Sequence, residues 1–584
     1  MKTFYFIILS ILFLTTGTII SQSFTKITTG AIVNDGGWSY ACCWADFNND
    51  GKPDLFVCNN QTGNKNNMLY MNNGDGTFTK VTTGVVVTDG GSSYGCTAAD
   101  FDNNGTIDLF VANYGENNFL YSNNGNGTFT KITTGAIVND GGNSTGCAWA
   151  DYDKDGYVDL FVCNRNQPNF LYHNNGNGTF TKITTGAIVT NNSNSGGCAW
   201  ADYDNDGYPD LFVANAGPAA DFLYHNNGNG TFTQITNDPV VNDVINSSGG
   251  SWGDYNNDGY PDLFVTGGVI GTTNDRLFLN NGNGTFTKIL NDPIVNVNHW
   301  AGGSSWGDFD NDGWLDMFVG GYDGLNLVFK NNANGTFSSI DTGILVTDGN
   351  YKEAAGWCDY DNDGYLDIFT ARNNYFGGNN CLYHNNGNGN KFINIKCVGM
   401  VSNKCGIGAK VYVKAVIGSG SIKQMREISS QTGGAISGEN CLNAVFGLGN
   451  AAIIDSVIIK WPSGIVDKYA QIQPNQFLTA VEGQSINKII KQNSNIPEKY
   501  SLSQNYPNPF NPTTNIQYAL ANSSFVKLVV FDALGREIET LVNEKQSAGT
   551  YIAAFNSSRY PSGIYFYRLT AENFSNTKKM LIVK

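Results

Sequence analysis

The sequence predicts an all-β chain: a seven-bladed β-propeller, then a small β domain, then a C-terminal β-sandwich. Two observations carry the propeller. An aspartate-rich nonapeptide, D-x-D/N-x-D/N-G-x-x-D, starts at Asp46, Asp100, Asp151, Asp202, Asp254, Asp308 and Asp359, 51 to 54 residues apart, and each copy runs into apolar residues. A fixed period of this length marks one structural unit copied along the chain. Each copy also holds four strand-like stretches, which is the content of one propeller blade. Composition agrees, because 584 residues exceed one ordinary core, and 70 glycines with 14% charged residues point to turn-rich β structure.

Taken in order, the chain opens with Lys2, an apolar run from Phe4 to about Ile20, and polar Ser21-Gln22-Ser23. This pattern predicts a signal peptide over 1–21, and hence export, with no transmembrane helix after its removal. The propeller is expected over 22–391. Its third copy is typical. Gly146-Cys147-Ala148-Trp149-Ala150 is a small-residue strand, Asp159-Leu160-Phe161-Val162-Cys163 a buried one, Asn169-Phe170-Leu171-Tyr172 a third, and Thr179-Phe180-Thr181-Lys182-Ile183 alternates as an outer strand. Phe24-Thr25-Lys26-Ile27-Thr28 copies that outer strand before any inner strand appears, so it is expected to complete the seventh blade and hide two sheet edges. The competing closure, Lys391 to Ile395, also reads as the start of the next domain.

The nonapeptide has the chemistry of a hard-cation loop. Oxygen side chains at positions 1, 3 and 5, glycine at 6 and aspartate at 9 suit Ca²⁺. The first loop offers Asp46, Asn48, Asp50 and Asp54; the second Asp100, Asp102, Asn104 and Asp108; the third Asp151, Asp153, Asp155 and Asp159. The fourth offers Asp202, Asp204, Asp206 and Asp210; the fifth Asp254, Asn256, Asp258 and Asp262. The sixth offers Asp308, Asp310, Asp312 and Asp316; the seventh Asp359, Asp361, Asp363 and Asp367. Position 7 is Lys52, Thr106, Tyr157, Tyr208, Tyr260, Trp314 or Tyr365, with no shared side-chain chemistry, so a backbone carbonyl is expected there. An EF-hand is excluded, because position 12 holds Val57, Val111, Val162, Val213, Val265, Val319 or Thr370 instead of glutamate. Up to seven Ca²⁺, one per blade, would bring the formal net charge of -16 to about -2. Loops with four aspartates (third, fourth, sixth and seventh) are expected to release calcium last.

Most of the twelve cysteines share a repeat phase with Ala, Gly, Ser or Thr, which marks small buried strand positions. Cys381, Cys397, Cys405 and Cys441 remain as disulfide candidates with no assignable connectivity.

With these residues in place, the blades resemble the FG-GAP/VCBS repeat family of integrin α-subunits, which implies structural Ca²⁺ between the first two strands of a blade. Residues 392–482 carry Gly406-Ile407-Gly408-Ala409, Phe446-Gly447-Leu448-Gly449 and Trp461-Pro462-Ser463-Gly464. This order resembles the ASPIC/UnbV domain of proteins similar to cartilage acidic protein, expected as a small β domain packed on the propeller. A polar stretch, 483–499, reads as a linker. Residues 500–584 hold Tyr506-Pro507-Asn508-Pro509-Phe510-Asn511-Pro512, the turn Asp532-Ala533-Leu534-Gly535 and a basic end, Lys578-Lys579-Met580. They resemble the type IX secretion sorting domain, which implies the type IX secretion machinery as a partner and a secreted or bacterial cell-surface location.

Ion loops and Asn-Asn-Gly turns fall on one rim and scarcely vary, whereas the opposite rim varies from copy to copy. On that variable rim Trp38, Tyr94, His299, Trp300, Tyr351, Arg372 and Tyr375 are the candidate ligand-binding residues. They predict a non-catalytic recognition or adhesion module for an extracellular protein or carbohydrate. The alternative is an extracellular polysaccharide lyase or hydrolase, for which His299 is the one unusual candidate base and no partner is evident. His173, His225 and His384 share the context Leu-Tyr-His-Asn-Asn and read as decorative. The acidic balance and lack of a basic patch speak against nucleic acid.

Overall fold

The computed structural model describes residues 23–584 apart from 62, 218, 269–273, 298, 323–325, 349–351, 373–377, 431–437, 485–489, 494–496, 498, 523, 547 and 558. The expected signal segment 1–21, and Tyr351 and Tyr375 among the candidate ligand residues, lie outside the described residues. The chain is almost all β. Its helices are single turns such as Ala31–Asn34 and Ala136–Asn139, placed between repeats, each burying an Ile-Val or Val-Val pair or its equivalent.

Each repeat is an antiparallel set whose first two strands flank the nonapeptide. In the fourth, Asn192–Ala201 pairs with Asp210–Asn215, which pairs with Phe222–Asn226, and that with Phe232–Ile235. The seventh supplies Lys352–Cys358, Asp367–Arg372 and Cys381–Asn385, and its outer strand is Phe24–Lys26, in register Phe24↔Asn385. The N-terminal copy therefore fills the place expected for it, and Lys391–Val398 pairs instead with Ala444–Gly449 and Gln476–Val481 of the next part.

Apolar cores lie between neighbouring repeats rather than inside them. One unites Trp44, Leu55 and Tyr70 of the first repeat with Tyr360, Phe369 and Leu382 of the seventh. The asparagine ending each third strand ties neighbours together. Asn123, Asn174, Asn226, Asn280, Asn331 and Asn385 each donate through Nδ2 to a carbonyl two repeats' strands away: that of Phe47, Phe101, Tyr152, Tyr203, Tyr255 and Phe309 in the preceding repeat. Asn72 of the first repeat donates in the same way to Tyr360 of the seventh, and the seven distances are 2.7–2.9 Å. Likewise Trp44 Nε1 donates to the Gly356 carbonyl at 3.2 Å, as Trp357 does to Ser305.

The repeats are not equivalent on the variable rim. Second strands are six residues long in the first, fourth, fifth, sixth and seventh copies, but Asp108–Glu116 has nine and Asp159–Pro168 ten. The overhangs pair with the next repeat's first strand, Asn143↔Tyr114 and Arg165↔Asn194, so repeats two to four merge into one 12-stranded sheet. The repeat pattern predicts seven equal blades and does not contain this fusion.

The second part does more than pack on the repeats. A segment of it joins the repeats' inner strands, where Gly438–Glu439 adds in parallel to the first strand of repeat one, Ser39–Ala45. Glu439 Oε2 accepts the Ala98 N–H at 2.8 Å, Ser430 Oγ the Trp149 N–H at 2.8 Å, and Asn440 Oδ1 the Trp357 N–H at 2.8 Å. Inner-strand donors that would otherwise be buried without partners are thereby satisfied. Beside this segment a cavity of about 1040 Å³ is walled by inner-strand residues that include Trp200, Trp252 and Trp306. The third part has two four-stranded sheets sharing a core built on Ile516, Tyr518, Leu528, Val530, Phe555 and Tyr567. Here the polar stretch read as a linker departs from expectation, since Ile490–Asn493 is a strand paired with Gly549–Asn556.

None of the twelve cysteines is in a disulfide. The disulfide candidates are corrected accordingly: Cys381, Cys397 and Cys405 are buried thiols and Cys441 is half-buried, and Cys405 Sγ accepts the Asp100 N–H at 3.0 Å.

Candidate metal centre

The nonapeptides fold as the phase of their oxygens dictates. Position 1 bends the chain over itself: Asp308 accepts the N–H of Asp312 through Oδ1 at 3.0 Å and that of Gly313 through Oδ2 at 2.8 Å. Position 5 accepts the N–H of position 7, as Asp155 does from Tyr157 at 2.9 Å. Position 9 closes the loop, with Asp210 taking the N–H of Tyr203 and that of Asn226. Glycine at 6 is required by φ between 84° and 96°, a left-handed conformation. Position 4 is left-handed too, φ 55–62°, and is Asn in six copies and Lys154 in the third; asparagine tolerates that region best after glycine. The repeated Asn at this position carries that requirement in the sequence. At position 7 the side chain lies against the glycine of the neighbouring turn: a Cβ on Gly176 would fall 2.8 Å from the Tyr157 ring.

Burial and mutual repulsion dominate the electrostatics. Desolvation, then in Asp151 and Asp308 the neighbouring carboxylates, push both carboxyls up to about 8; burial likewise raises Asp108 to about 8 and Asp54, Asp100, Asp159, Asp210, Asp254 and Asp367 to about 7. Buried Asp262, Asp316 and Asp359 are pushed well above the carboxylate range. Sets such as Asp100, Asp102 and Asp108, or Asp151, Asp153 and Asp159, bring one oxygen each within 4.8 Å of the others. The all-oxygen donor set, with Asp153 Oδ1, Asp202 Oδ1 and Asp316 Oδ2 buried without a hydrogen-bond partner, fits a hard divalent cation.

One reading of the histidines is overturned. His173, His225 and His384 are not decorative, because each turns Nδ1 toward its own loop, 3.1–3.2 Å from Asp159, Asp210 and Asp367, and joins the clusters that could hold a metal. Hydrogen bonding to those carboxylates raises each imidazole to about 9. The corresponding residue of the sixth repeat is Lys330, whose Nζ lies 2.8 Å from Asp310 Oδ1, 2.6 Å from Asp312 Oδ2 and 3.4 Å from Asp316 Oδ1. In the remaining copies it is Met71, Ser122 or Leu279. Every loop with four aspartates thus has a basic neighbour, and every loop with an asparagine at position 3 or 5 has a neutral one. Aspartate count alone therefore cannot rank the loops, since the fourth carboxylate is offset locally.

The second part reaches this same rim. Lys410 Nζ lies 2.9 Å from Asp202 Oδ2, the Lys404 N–H donates to Asn103 Oδ1 at 2.9 Å, and that of Gly447 to Asp308 Oδ2 at 3.1 Å.

Comparison with known proteins decides the family. The FG-GAP-like repeat model matches residues 46–111, 100–162, 151–213, 202–265, 266–319 and 308–370, together more than half of the chain. The chain belongs to the FG-GAP-like repeat family. Beyond the FG-GAP-like repeats, an ASPIC and UnbV model matches 399–487 and a secretion system C-terminal sorting domain matches 504–584. The chain is similar to cartilage acidic protein 1 of Xenopus tropicalis, 29% identical over 177 residues, 28% of this chain and 27% of the relative. It is also similar to that of Mus musculus, 30% identical over 172 residues, 28% and 26%. It thus spans about a quarter of the length of these curated relatives. Among solved structures, Sqt1 of Saccharomyces cerevisiae aligns with 12% identity and TM-score 0.37, over 58% of this chain and 82% of that one. With its type IX sorting domain, this FG-GAP-like protein is secreted or displayed at the cell surface. Among the described residues no helix is long and apolar enough to cross a membrane.

On the rim opposite the ion loops of the FG-GAP-like repeats, the candidate ligand residues do not form one site. Tyr94 stacks on Tyr40 at 4.4 Å between ring centroids, Trp300, 40% exposed, packs on Tyr322 at 5.0 Å, and half-buried Arg372 lies against Gly378 in repeat seven. The Trp38 N–H donates to Asn59 Oδ1. His299 is corrected: it is buried, and it has a partner, its Nε2 lying 3.2 Å from Asp275 Oδ2. Tyr114 and Tyr322 join these aromatic contacts as well, and both stand six residues after the closing loop aspartate, Asp108 and Asp316, a shared phase that is the signal for them in the sequence.

Proposed function

We propose that this protein is a non-catalytic recognition or adhesion module exported by the type IX machinery, in which the seven repeats, 22–391, close as a seven-bladed propeller holding up to seven Ca²⁺. The unbroken series of asparagine-to-carbonyl bonds, with Asn72 reaching Tyr360, supports closure. Residues 392–482 act as its ASPIC/UnbV cap, and the two C-terminal sheets read as a sorting sandwich over 500–584. In each loop the side chains at positions 1, 3, 5 and 9 would hold the ion, and the ion would supply the positive charge that buried carboxylates need.

The observation carrying the recognition reading is the division between rims. The invariant ion-loop rim is engaged by the second part through Lys410, Lys404 and Gly447, while the opposite rim differs from repeat to repeat and carries the paired aromatic side chains. Screening the full chain against extracellular-matrix proteins and oligosaccharides, with calcium and with chelator, is expected to find a calcium-dependent ligand. Failure to bind anything in either buffer overturns the reading. The lyase or hydrolase alternative would need His299 as base, and its burial against Asp275 makes it a packing pair instead.

Two expected results arise here. Carboxyls raised to about 7 or 8 hold protons that a metal must displace, so protons and Ca²⁺ compete for the loops. Because the folded value lies above the unfolded one, burying these groups costs least below about pH 4 and most above about pH 8. The rise in Tm on adding calcium should therefore be larger at about pH 8.5 than at about pH 6; an equal rise at both would contradict it. In the sixth loop Lys330 occupies space among the ligands, so Lys330→Met is expected to tighten one site about tenfold by equilibrium dialysis. Weaker calcium binding by that variant would show the ammonium to be a support and not a competitor.

A further inference from the structure

The rim running from repeat one across the fused repeats two to four assembles something no single repeat contains. Tyr40 and Tyr94, at the second position of neighbouring first strands, stack at 4.4 Å and 28°. Tyr114, in the overhang of the Asp108–Glu116 strand, continues the row at 5.2 Å from Tyr94. From the next overhang the Arg165 guanidinium sits 6.0 Å above the Tyr94 ring. All four side chains are half-buried, so rings and guanidinium keep one side open.

Polar atoms beside this row are placed but not used. Arg165 Nε, Gln167 Nε2, Ser193 Oγ and Asn194 Oδ1 are shielded and have no hydrogen-bond partner within the protein. Strand pairing puts them together, since Arg165 faces Asn194 and Gln167 faces Ser193 across the fused strands. Such atoms cost about 1–3 kcal/mol each unless water or a ligand satisfies them. Shielded as they are, these atoms lie beneath the surface, and what a ligand would meet is the row of half-buried rings with the Arg165 guanidinium beside it.

We propose that this rim binds an acidic polysaccharide, with Tyr40, Tyr94 and Tyr114 as a stacking platform for pyranose rings, and the Arg165 guanidinium donating to a uronate carboxylate. This deepens the recognition reading above and rests on it. Charge selects the acid sugar: among the described residues no carboxylate lies within ion-pair distance of Arg165, whereas the neighbouring Lys65 is neutralised by Glu116 at 2.8 Å. Guanidinium forks bind carboxylates in preference to neutral hydroxyls. A protein partner is less suited, because large exposed apolar side chains among the described residues of the repeats are limited to Val244, Leu290 and Trp300, none in this patch.

The test is calorimetric titration of the full chain, in calcium, with tetragalacturonate and with its neutral counterpart galactotetraose. The wild type is expected to prefer the acid. Arg165→Gln should abolish that preference, and Tyr94→Ala should weaken both sugars about tenfold or more. Tyr94→Phe, which keeps the ring, and Phe525→Ala, an exposed side chain of the C-terminal part, should bind within about threefold of the wild type; unchanged Tm in calcium verifies folding. Undiminished binding by Arg165→Gln and Tyr94→Ala, or equal affinity for acid and neutral sugar, overturns the assignment. If the wild type binds neither sugar but captures another ligand in the broader screen, this site falls and the recognition reading stands; if it binds nothing at all, both fall.

Discussion

Chelating calcium is expected to lower the melting temperature of this protein by on the order of 10 °C or more. The expectation follows from mass action: at free Ca²⁺ about a hundredfold above the dissociation constant, each independent site adds about 2.7 kcal/mol to stability. Several sites acting on one cooperative repeat array would multiply that, even though a large domain shifts only about 2–4 °C per kcal/mol. The physical source is visible in the loops. Asp308 is buried, as is Asp316, and both lie beside further carboxylates, so in their charged form they repel one another inside the protein. A divalent ion removes this penalty, and calorimetry with and without chelator measures it. A shift below about 2 °C would mean the loops are self-sufficient turns.

The second large effect comes from a single side chain. Asp262→Ala should destabilise the chain by about 2–6 kcal/mol even in chelator, because it strands two buried N–H groups at about 1–3 kcal/mol apiece. Asp262 lies fully buried, with Oδ1 accepting the Asn280 N–H at 2.8 Å and Oδ2 that of Tyr255 at 3.3 Å. Asn256→Ala, at position 3 of the same loop, should weaken calcium binding while leaving chelated stability nearly unchanged. Urea denaturation of both variants in chelator separates the roles: if Asp262→Ala unfolds at the wild-type midpoint, position 9 is only a ligand and not a structural tie.

How much of this was legible depended on distance along the chain. The loops could be read because ligation fixes oxygen side chains at short, repeated intervals, and the spare outer strand because Phe24-Thr25-Lys26 copies its counterparts. His173, His225, His384 and Lys330 escaped because each stands 14 to 23 residues from the carboxylates it meets. Only the sheet brings them back. Lys330 in particular sits among apolar and polar alternatives at one phase, and its meaning emerges only beside the aspartate count. The fused rim escaped for a different reason: strand overhang is decided by what the neighbouring repeat offers to pair with, and no local pattern in Tyr114 or Arg165 encodes it. The addition of Gly438–Glu439 to the first strand of repeat one pairs residues nearly four hundred positions apart, beyond any periodicity argument.

The pairing of Phe24–Lys26 with Tyr383–Asn385 also constrains processing. Processing that removed Phe24–Lys26 would leave the Cys381–Asn385 strand with an uncovered hydrogen-bonding edge, and such an edge invites a strand from another molecule.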